Sequence, residues 1–300
     1  MASGKIVKSI AGFYEVYSEG TVYRCRARGL FRQFGEKPLV GDNVEFDITD
    51  TVSDPMEGSV ISIGERKSVL VRPNVSNVDQ ALLLFAVKYP DPSLNMLDRF
   101  LISIALRGLP AVLCFNKCDL ADRDEIERLA EIYGGCGAEL VFISTRDAHS
   151  MEQLTGMLRG KTTVLAGPSG AGKSSLIRAL CPGAKPETGE LSERIGRGKN
   201  TTRATEIYAL SDDTFIMDTP GFTSLYLQGI EAGGLKSHYP EFAPYAGRCR
   251  FDTCMHHKEP DCAVKNAVSD GLIPRERYED YIELYLELKD RKPVYASKSN

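Results

Sequence analysis

The chain has 300 residues, enough for about two or three domains and a sizeable core. Its apolar fraction of 42% and charged fraction of 26% are those of an ordinary globular protein, which excludes a disordered or fibrous chain. Net charge is −4, with 9 Lys+Arg against 10 Asp+Glu over residues 1–70 and 11 against 12 over 231–300, so any nucleic-acid contact has to use local patches.

Met1-Ala2-Ser3-Gly4-Lys5 carries no apolar signal region. The longest apolar run, residues 81–87, is too short to span a bilayer. The expected location is cytoplasmic, with no membrane partner. Residues 1–71 read as a domain of short strands. Residues 12–17 alternate, Glu19-Gly20 turns, residues 21–28 alternate again, and 44–48 and 58–63 add two more strands. That spacing suggests a small closed β-barrel of the OB type. Arg24, Arg26 and Arg28 recur at period two and line one strand face. They are either a phosphate-contacting stripe on an RNA-binding barrel or a solvated face, and charge alone favours the solvated face.

Arg72-Pro73-Asn74 reads as a linker into a second domain over 72–230. There apolar strands (80–87, 111–115, 139–143, 162–166) alternate with amphipathic helices (93–107, 122–133, 151–158). That succession predicts a mostly parallel, doubly wound α/β sheet. Gly167-Pro168-Ser169-Gly170-Ala171-Gly172-Lys173-Ser174 is a full G-x-x-x-x-G-K-[ST] between the last of these strands and a helix opened by Ser175. Such a loop turns backbone N–H groups toward phosphates, with Lys173 for the β- and γ-phosphates and Ser174 for Mg²⁺. Residues 182–199 are Gly-rich and irregular, as switch segments are. Residues 205–210 and 214–217 form a hairpin that feeds Asp218-Thr219-Pro220-Gly221.

The third domain, 231–300, is short and loop-rich, and holds Cys249-x₄-Cys254-x-His256-x₅-Cys262. Three thiolates and an imidazole suit one tetrahedral, structural Zn²⁺, with His257 as the alternative imidazole. The other five of the 8 cysteines are scattered and read as buried thiols. A helix over 275–291 carries Tyr278, Tyr281 and Tyr285 on one face, for packing rather than for stacking bases.

Asn116-Lys117-Cys118-Asp119 is N-K-x-D at a strand end. The Asp119 carboxylate can accept from both N1–H and N2–H₂ of guanine, donors that adenine lacks. Asn116 is expected to tie this loop to the P-loop, and the Lys117 stem to lie along the base. Ser144 opens Ser-Thr-Arg, where guanine sites often have Ser-Ala-Lys, and its backbone could meet the guanine O6. Asp218 is assigned to Mg²⁺ through water, Gly221 to the γ-phosphate, and Thr201 or Thr202, with Thr202 preferred, to closing over both. The parts of a GTP site are complete, but N-K-x-D and the Ser144 loop precede the P-loop, so the domain is circularly permuted. Domain termini often lie close together, and such a permutation preserves the packing.

A barrel, a GTPase in this order and C-x₄-C-x-H-x₅-C resemble the circularly permuted ribosome-assembly GTPases of the RsgA/YjeQ family, from about Gly4 to the Tyr281 helix. Gly196-Arg197-Gly198-Lys199 before the threonine pair and Cys249-Arg250-Phe251 are local matches. The resemblance implies a GTP hydrolase that binds the small ribosomal subunit late in its maturation and leaves after hydrolysis to GDP; the chain itself is expected to be a monomer. It implies slow turnover alone, stimulation by the ribosomal particle, and a barrel and zinc module that grip ribosomal RNA. It also implies a switch histidine directly before the threonine pair. Here that residue is Asn200, Ala204 offers no substitute, and Phe222 follows Gly221. Asn200 can orient a water but cannot act as a base, which leaves a second reading, a GTP-dependent RNA-binding checkpoint with incidental hydrolysis.

Overall fold

The computed structural model describes residues 1–28, 31, 37–71, 73–184, 186, 205–218, 227 and 229–291. Strands β1 (Ala2–Ile10), β2 (Phe13–Ser18), β3 (Thr21–Ala27), β4 (Asn43–Asp50) and β5 (Glu57–Ile63) form a closed barrel in the order β1-β2-β3-β5-β4. Alternation fills it: Tyr14, Val16, Cys25, Val44, Phe46 and Val60 point inward and are buried. The sequence pattern did not predict β1. Adjacent Ile6 and Val7 are both buried, and the register with β2 shifts between Ile6 and Lys8, so a bulge breaks the period-two signal.

Short strands lie on either side of the expected linker. Strands β6 (Val69–Leu70) and β7 (Val75–Ser76) pair antiparallel around it. Fully buried Asp42 accepts two hydrogen bonds from Arg66, both 2.7 Å, and one from the Ser76 hydroxyl at 2.6 Å. Gly41 has φ +99°, and a Cβ there would lie 2.1 Å from the Ser76 carbonyl oxygen, so the chain needs a glycine at this crossing.

Beyond β7 come β8 (Gln80–Ala86), β9 (Ala111–Asn116), β10 (Glu139–Phe142), β11 (Thr162–Ala166), β12 (Glu206–Ala209) and β13 (Phe215–Asp218). They form one sheet in the order β10-β9-β8-β11-β13-β12, parallel except for β12 against β13. Every residue of β8 is buried, as a central parallel strand requires. Ala81, Leu83 and Phe85 face one core with helices α1 (Leu94–Ala105) and α2 (Arg123–Tyr133). Leu82 and Leu84 face the other, with α3 (Ala148–Leu158) and α4 (Lys173–Leu180). The helix starts are capped as their sequences dictate: Asp122 and Glu125 close a capping box on α2, and Asp147 caps α3.

The C-terminal region has two 3₁₀ turns, Ala232–His238 and Pro240–Tyr245, then α5 (Ala263–Ser269) and α6 (Arg275–Asp290). Its core joins Leu235, Phe242, Tyr281 and Leu284 to Ile102 of α1 and to Leu227. A buried ionic joint reinforces this contact. Arg277 pairs with Asp98 of α1 and, at 2.7 Å, with Glu241, while the Tyr239 hydroxyl donates to Asp98 at 3.0 Å and the Tyr133 hydroxyl at 3.2 Å. On the other side the barrel rests on the β12–β13 hairpin. Lys8 pairs with Glu206 at 2.7 Å, the Tyr17 hydroxyl donates to Asp212 at 3.0 Å, and the Tyr17 ring meets Phe215 edge-on. Among the described residues no helix is long and apolar enough to cross a membrane.

Candidate functional site

The three described motif segments meet at the carboxyl ends of the parallel strands, where ligands of open α/β sheets bind. β11 leads into the P-loop, β9 ends in Asn116, and β13 ends in Asp218, which is in register with Leu165 of β11. Two glycines shape the P-loop. Gly167 has φ +146°, and a Cβ there would lie 2.1 Å from the Leu84 carbonyl oxygen. Gly172 has φ +100°, and a Cβ there would lie 2.4 Å from Asn116 Nδ2. Any side chain would close the cradle from behind. Pro168, Ser169, Gly170 and Ala171 complete the turn, and Lys173, Ser174 and Ser175 open α4.

Buried Asn116 donates from Nδ2 to the Ala171 carbonyl at 2.9 Å, which fastens the N-K-x-D loop to the P-loop. Its Oδ1 is buried and has no hydrogen-bond donor among the described residues. An acceptor left so costs about 1–3 kcal/mol, a strain characteristic of sites shaped for a ligand. Lys117 adopts φ +65°, and its ammonium donates to the Tyr89 carbonyl. Cys118 packs its thiol behind the loop, and burial pushes that thiol up to about 11. It is therefore an un-ionised packing group.

The Lys173 ammonium donates to the Gly167 and Pro168 carbonyls, both at 2.7 Å. Burial lowers its pKa, and the nearby Asp218 carboxylate opposes that shift. Phosphate oxygens are stronger acceptors than these carbonyls, so the ammonium is already poised over the loop that would cradle them. Asp119 accepts from the Ser144 hydroxyl at 2.7 Å. The Ser144 N–H, expected to meet a base, donates to the Ser150 hydroxyl at 3.2 Å. Asn200, Thr201, Thr202 and Gly221 lie outside the described residues.

Sequence reasoning gave no role to three residues that border the site. Arg146 reaches Asp119 at 3.4 Å. Tyr89 receives Lys117, and Pro90 lies 3.2 Å from where a Gly170 Cβ would be. The third residue of Ser-Thr-Arg and the Tyr-Pro turn were visible signals, but only the fold brings them to the base loop.

The second candidate site is the cysteine cluster. Cys249, Cys254, His256 and Cys262 place their ligand atoms within 4.8 Å of one another. Cys249 Sγ lies 3.8 Å from Cys262 Sγ and 3.6 Å from His256 Nδ1. A tetrahedral ion with bonds of about 2.3 Å to sulfur and about 2.1 Å to nitrogen needs edges of roughly 3.8 and 3.6 Å, so the donor set fits such a metal. His257 instead packs its ring edge-on to Tyr285. His256 sits at φ +57°, and α6 holds that bend: the Tyr278 hydroxyl donates to the His256 carbonyl and Tyr281 to that of Met255, both 2.7 Å. The tyrosine face expected to pack does so, and it also positions the cluster.

On the barrel, Arg24 and Arg26 share an exposed face and flank the Phe13 ring, with guanidinium carbons 4.1 and 4.6 Å from its centre. Arg28 leaves that stripe to pair with Asp47 at 2.8 Å.

Comparison with known proteins agrees with this architecture. Residues 63–228 match the family model described as RsgA GTPase, and residues 3–53 match the RsgA N-terminal domain. The small ribosomal subunit biogenesis GTPase RsgA of Agathobacter rectalis is 46% identical over 301 residues, covering 97% of this chain and 99% of that protein. The protein of the same name from Alkaliphilus metalliredigens is 42% identical over 292 residues, covering 97% and 99%. Among solved structures, YjeQ from Thermotoga maritima aligns with a TM-score of 0.76 at 34% identity, covering 97% of this chain and 99% of that one. YloQ, a circularly permuted GTPase, aligns with a TM-score of 0.73 at 38% identity, covering 98% and 97%. With barrel, permuted sheet and Cys₃His cluster all present and matched over nearly the full length, the chain belongs to the RsgA family of circularly permuted GTPases.

Proposed function

We propose that this GTPase acts in the biogenesis of the small ribosomal subunit, binding the particle with GTP and leaving after hydrolysis. The observation that carries the nucleotide reading is the 2.9 Å bond from Asn116 to Ala171, which makes base loop and phosphate loop one site. Gly167, Gly170, Gly172 and Lys173 cradle the phosphates, Asn116, Lys117 and Asp119 take the guanine, and Ser144 orients Asp119. Ser174 and Asp218, with Thr202, hold Mg²⁺, which neutralises charge on the phosphates when bound. Thr201, Gly221 and Asn200 complete the switch side, with Asn200 orienting the attacking water. Cys249, Cys254, His256 and Cys262 hold one structural Zn²⁺, since four protein ligands leave no open position. Arg24 and Arg26, both over the Phe13 ring, offer RNA two guanidiniums, and Arg28 contributes less because it pairs with Asp47.

Single-turnover hydrolysis of GTP with and without purified small subunits tests this reading. Slow turnover alone and marked stimulation by subunits is the expected result. No stimulation would instead favour the checkpoint reading that Asn200 motivates, in which nucleotide state controls binding and hydrolysis is incidental. Equal co-sedimentation with subunits in GDP and in a non-hydrolysable GTP analogue would overturn both.

A further inference from the structure

Asp119 takes the guanine in the proposed function, and a second property of the site rests on that reading. The two oxygens of its carboxylate are used differently. Oδ1 accepts from the Ser144 hydroxyl at 2.7 Å, and Oδ2 lies 3.4 Å from Arg146 Nη1. The Arg146 N–H also donates to the Ser144 hydroxyl, at 3.2 Å, so one oxygen links the backbone of Arg146 to the carboxylate its side chain reaches. That tether holds the guanidinium near Asp119, while the side chain is 82% exposed and able to swing away.

The chemistry of the pair is specific. A guanidinium presents parallel N–H donors in a planar fork, matched to a carboxylate. The N1–C2–N2 edge of guanine is the same fragment built into a ring, with N–H donors directed the same way. In the structure one guanidinium donor, Nη1, reaches Oδ2, so Arg146 offers Asp119, within the chain, one of the donors that the base offers from solution. The geometry points to Arg146 as an internal competitor of guanine for Asp119, a residue that sets the strength of base selection. While its guanidinium stays on Oδ2, it competes with the donors of the base for that oxygen. Adenine lacks the N1–H and exocyclic donor pair, so this competition lowers affinity for guanine nucleotides and not for adenine nucleotides.

The magnitude is bounded by exposure. A solvent-exposed ion pair is worth at most about 1 kcal/mol, so the competition reduces guanine affinity by up to about fivefold. It is also ionic. It weakens between about 20 mM and about 500 mM salt, as the Debye length falls from roughly 20 Å to roughly 4 Å.

The test uses the full chain and its Arg146→Ala and Arg146→Gln variants. Dissociation constants for GDP and ADP are measured by displacement of a fluorescent GDP, at both salt concentrations. The readout is the ratio of the ADP constant to the GDP constant. Attraction of the nucleotide phosphates to the Arg146 charge is common to both ligands and cancels in it. The expected result is a ratio about two- to fivefold higher in both variants at low salt, through faster GDP association, with most of the gain gone at high salt. A ratio unchanged or lowered at low salt, or a gain equally large at high salt, overturns the proposal. If the unaltered chain fails to prefer GDP over ADP, the guanine assignment of Asp119 fails instead, so the two failures are distinguishable. Arg146 is exposed and outside both sheet cores, so its variants keep the fold, and an unchanged melting temperature verifies this.

Discussion

Lys5 shows how a single residue can carry a cost that only the fold reveals. It is 8% exposed, in a cleft of about 620 Å³ between barrel and GTPase sheet, with its ammonium 3.2 Å from the Gly41 carbonyl and over the Phe215 ring. Burial pulls its pKa down to about 8, despite the carboxylates of Asp79 and Asp42. Below pH 8 both folded and unfolded chains hold the proton, and the fold bears the full desolvation cost. Between about pH 8 and 10.5 the unfolded chain binds more protons, so stability rises with pH across that window. Lys5→Met removes the cost, and Gly41 keeps an acceptor bond from Asn77 at 3.1 Å. We expect the variant to be more stable at pH 7 by about 1–3 kcal/mol, with the advantage vanishing as pH approaches 10. Urea denaturation across this range measures it, and a variant less stable at pH 7 refutes the account. The sequence could not indicate this, because Lys5 is buried by Phe215 from the far end of the chain. Asn116 is the opposite case. Its motif places it at a strand end beside a P-loop, and its bond to Ala171 was legible from chemistry alone.

Among elements, the P-loop is the one most tightly specified by its neighbours. Gly172→Ala brings a Cβ to 2.4 Å from Asn116 Nδ2 at a φ of +100°, so it both strains the backbone and displaces the clasp between the two loops. A loss of about 1–3 kcal/mol in stability and of GTP binding altogether is expected, read by thermal melting and nucleotide titration. GTP affinity within twofold of the unaltered chain would show that the clasp is dispensable. The cysteine loop makes a different prediction. Its candidate ligands are brought together by residues 249–262, which contain little regular structure, so the proposed metal would supply much of the local folding free energy. Cys254→Ser, or treatment with a strong chelator, should speed tryptic cleavage at Arg250 and Lys258 by about tenfold or more, and the purified chain should carry about one zinc by elemental analysis. Cleavage rates unchanged by metal removal would mean that the tyrosine contacts alone hold the loop. Elements with a clean period were legible, including the buried parallel strands and every described α-helix but α5, whose seven residues are too short to show a period. β1 was hidden by its bulge, and the β6–β7 pairing by its dependence on the distant Asp42–Arg66 pair.

At the scale of the molecule, the question is what fixes the C-terminal module to the GTPase sheet. Order in the C-terminal core depends on α1, which supplies Ile102 and Asp98, and on Leu227, whose carbonyl accepts from Arg291 at 2.6 Å. Leu227 follows the D-x-x-G segment in sequence, and α1 follows the Tyr89-Pro90 turn that holds Lys117, so the module is connected along the chain to both halves of the proposed nucleotide site. Arg277 is the centre of that attachment, with its side chain 2% exposed and Asp98 at 0%. Burial opposes its charge, yet Asp98 and Glu241 outweigh burial and hold the guanidinium protonated well above its ordinary range. Sequence reading found α6 but not this role, because an arginine on a helix bearing many charges looks solvated until its partners from α1 and the 3₁₀ turn close over it. Removing one member of such a network leaves the others charged and desolvated, so Arg277→Met should cost about 3–5 kcal/mol. Neutralising the carboxylates as well, with Asp98→Asn and Glu241→Gln, should return at least about 2 kcal/mol of that loss, because one of the Tyr133 and Tyr239 hydroxyls can still donate to the amide oxygen and the other can accept from the amide nitrogen. Urea denaturation of the single, double and triple variants measures the coupling. If the triple variant is less stable than Arg277→Met, the joint is held by hydrogen-bond geometry rather than by charge balance, and neutral replacements cannot substitute for it.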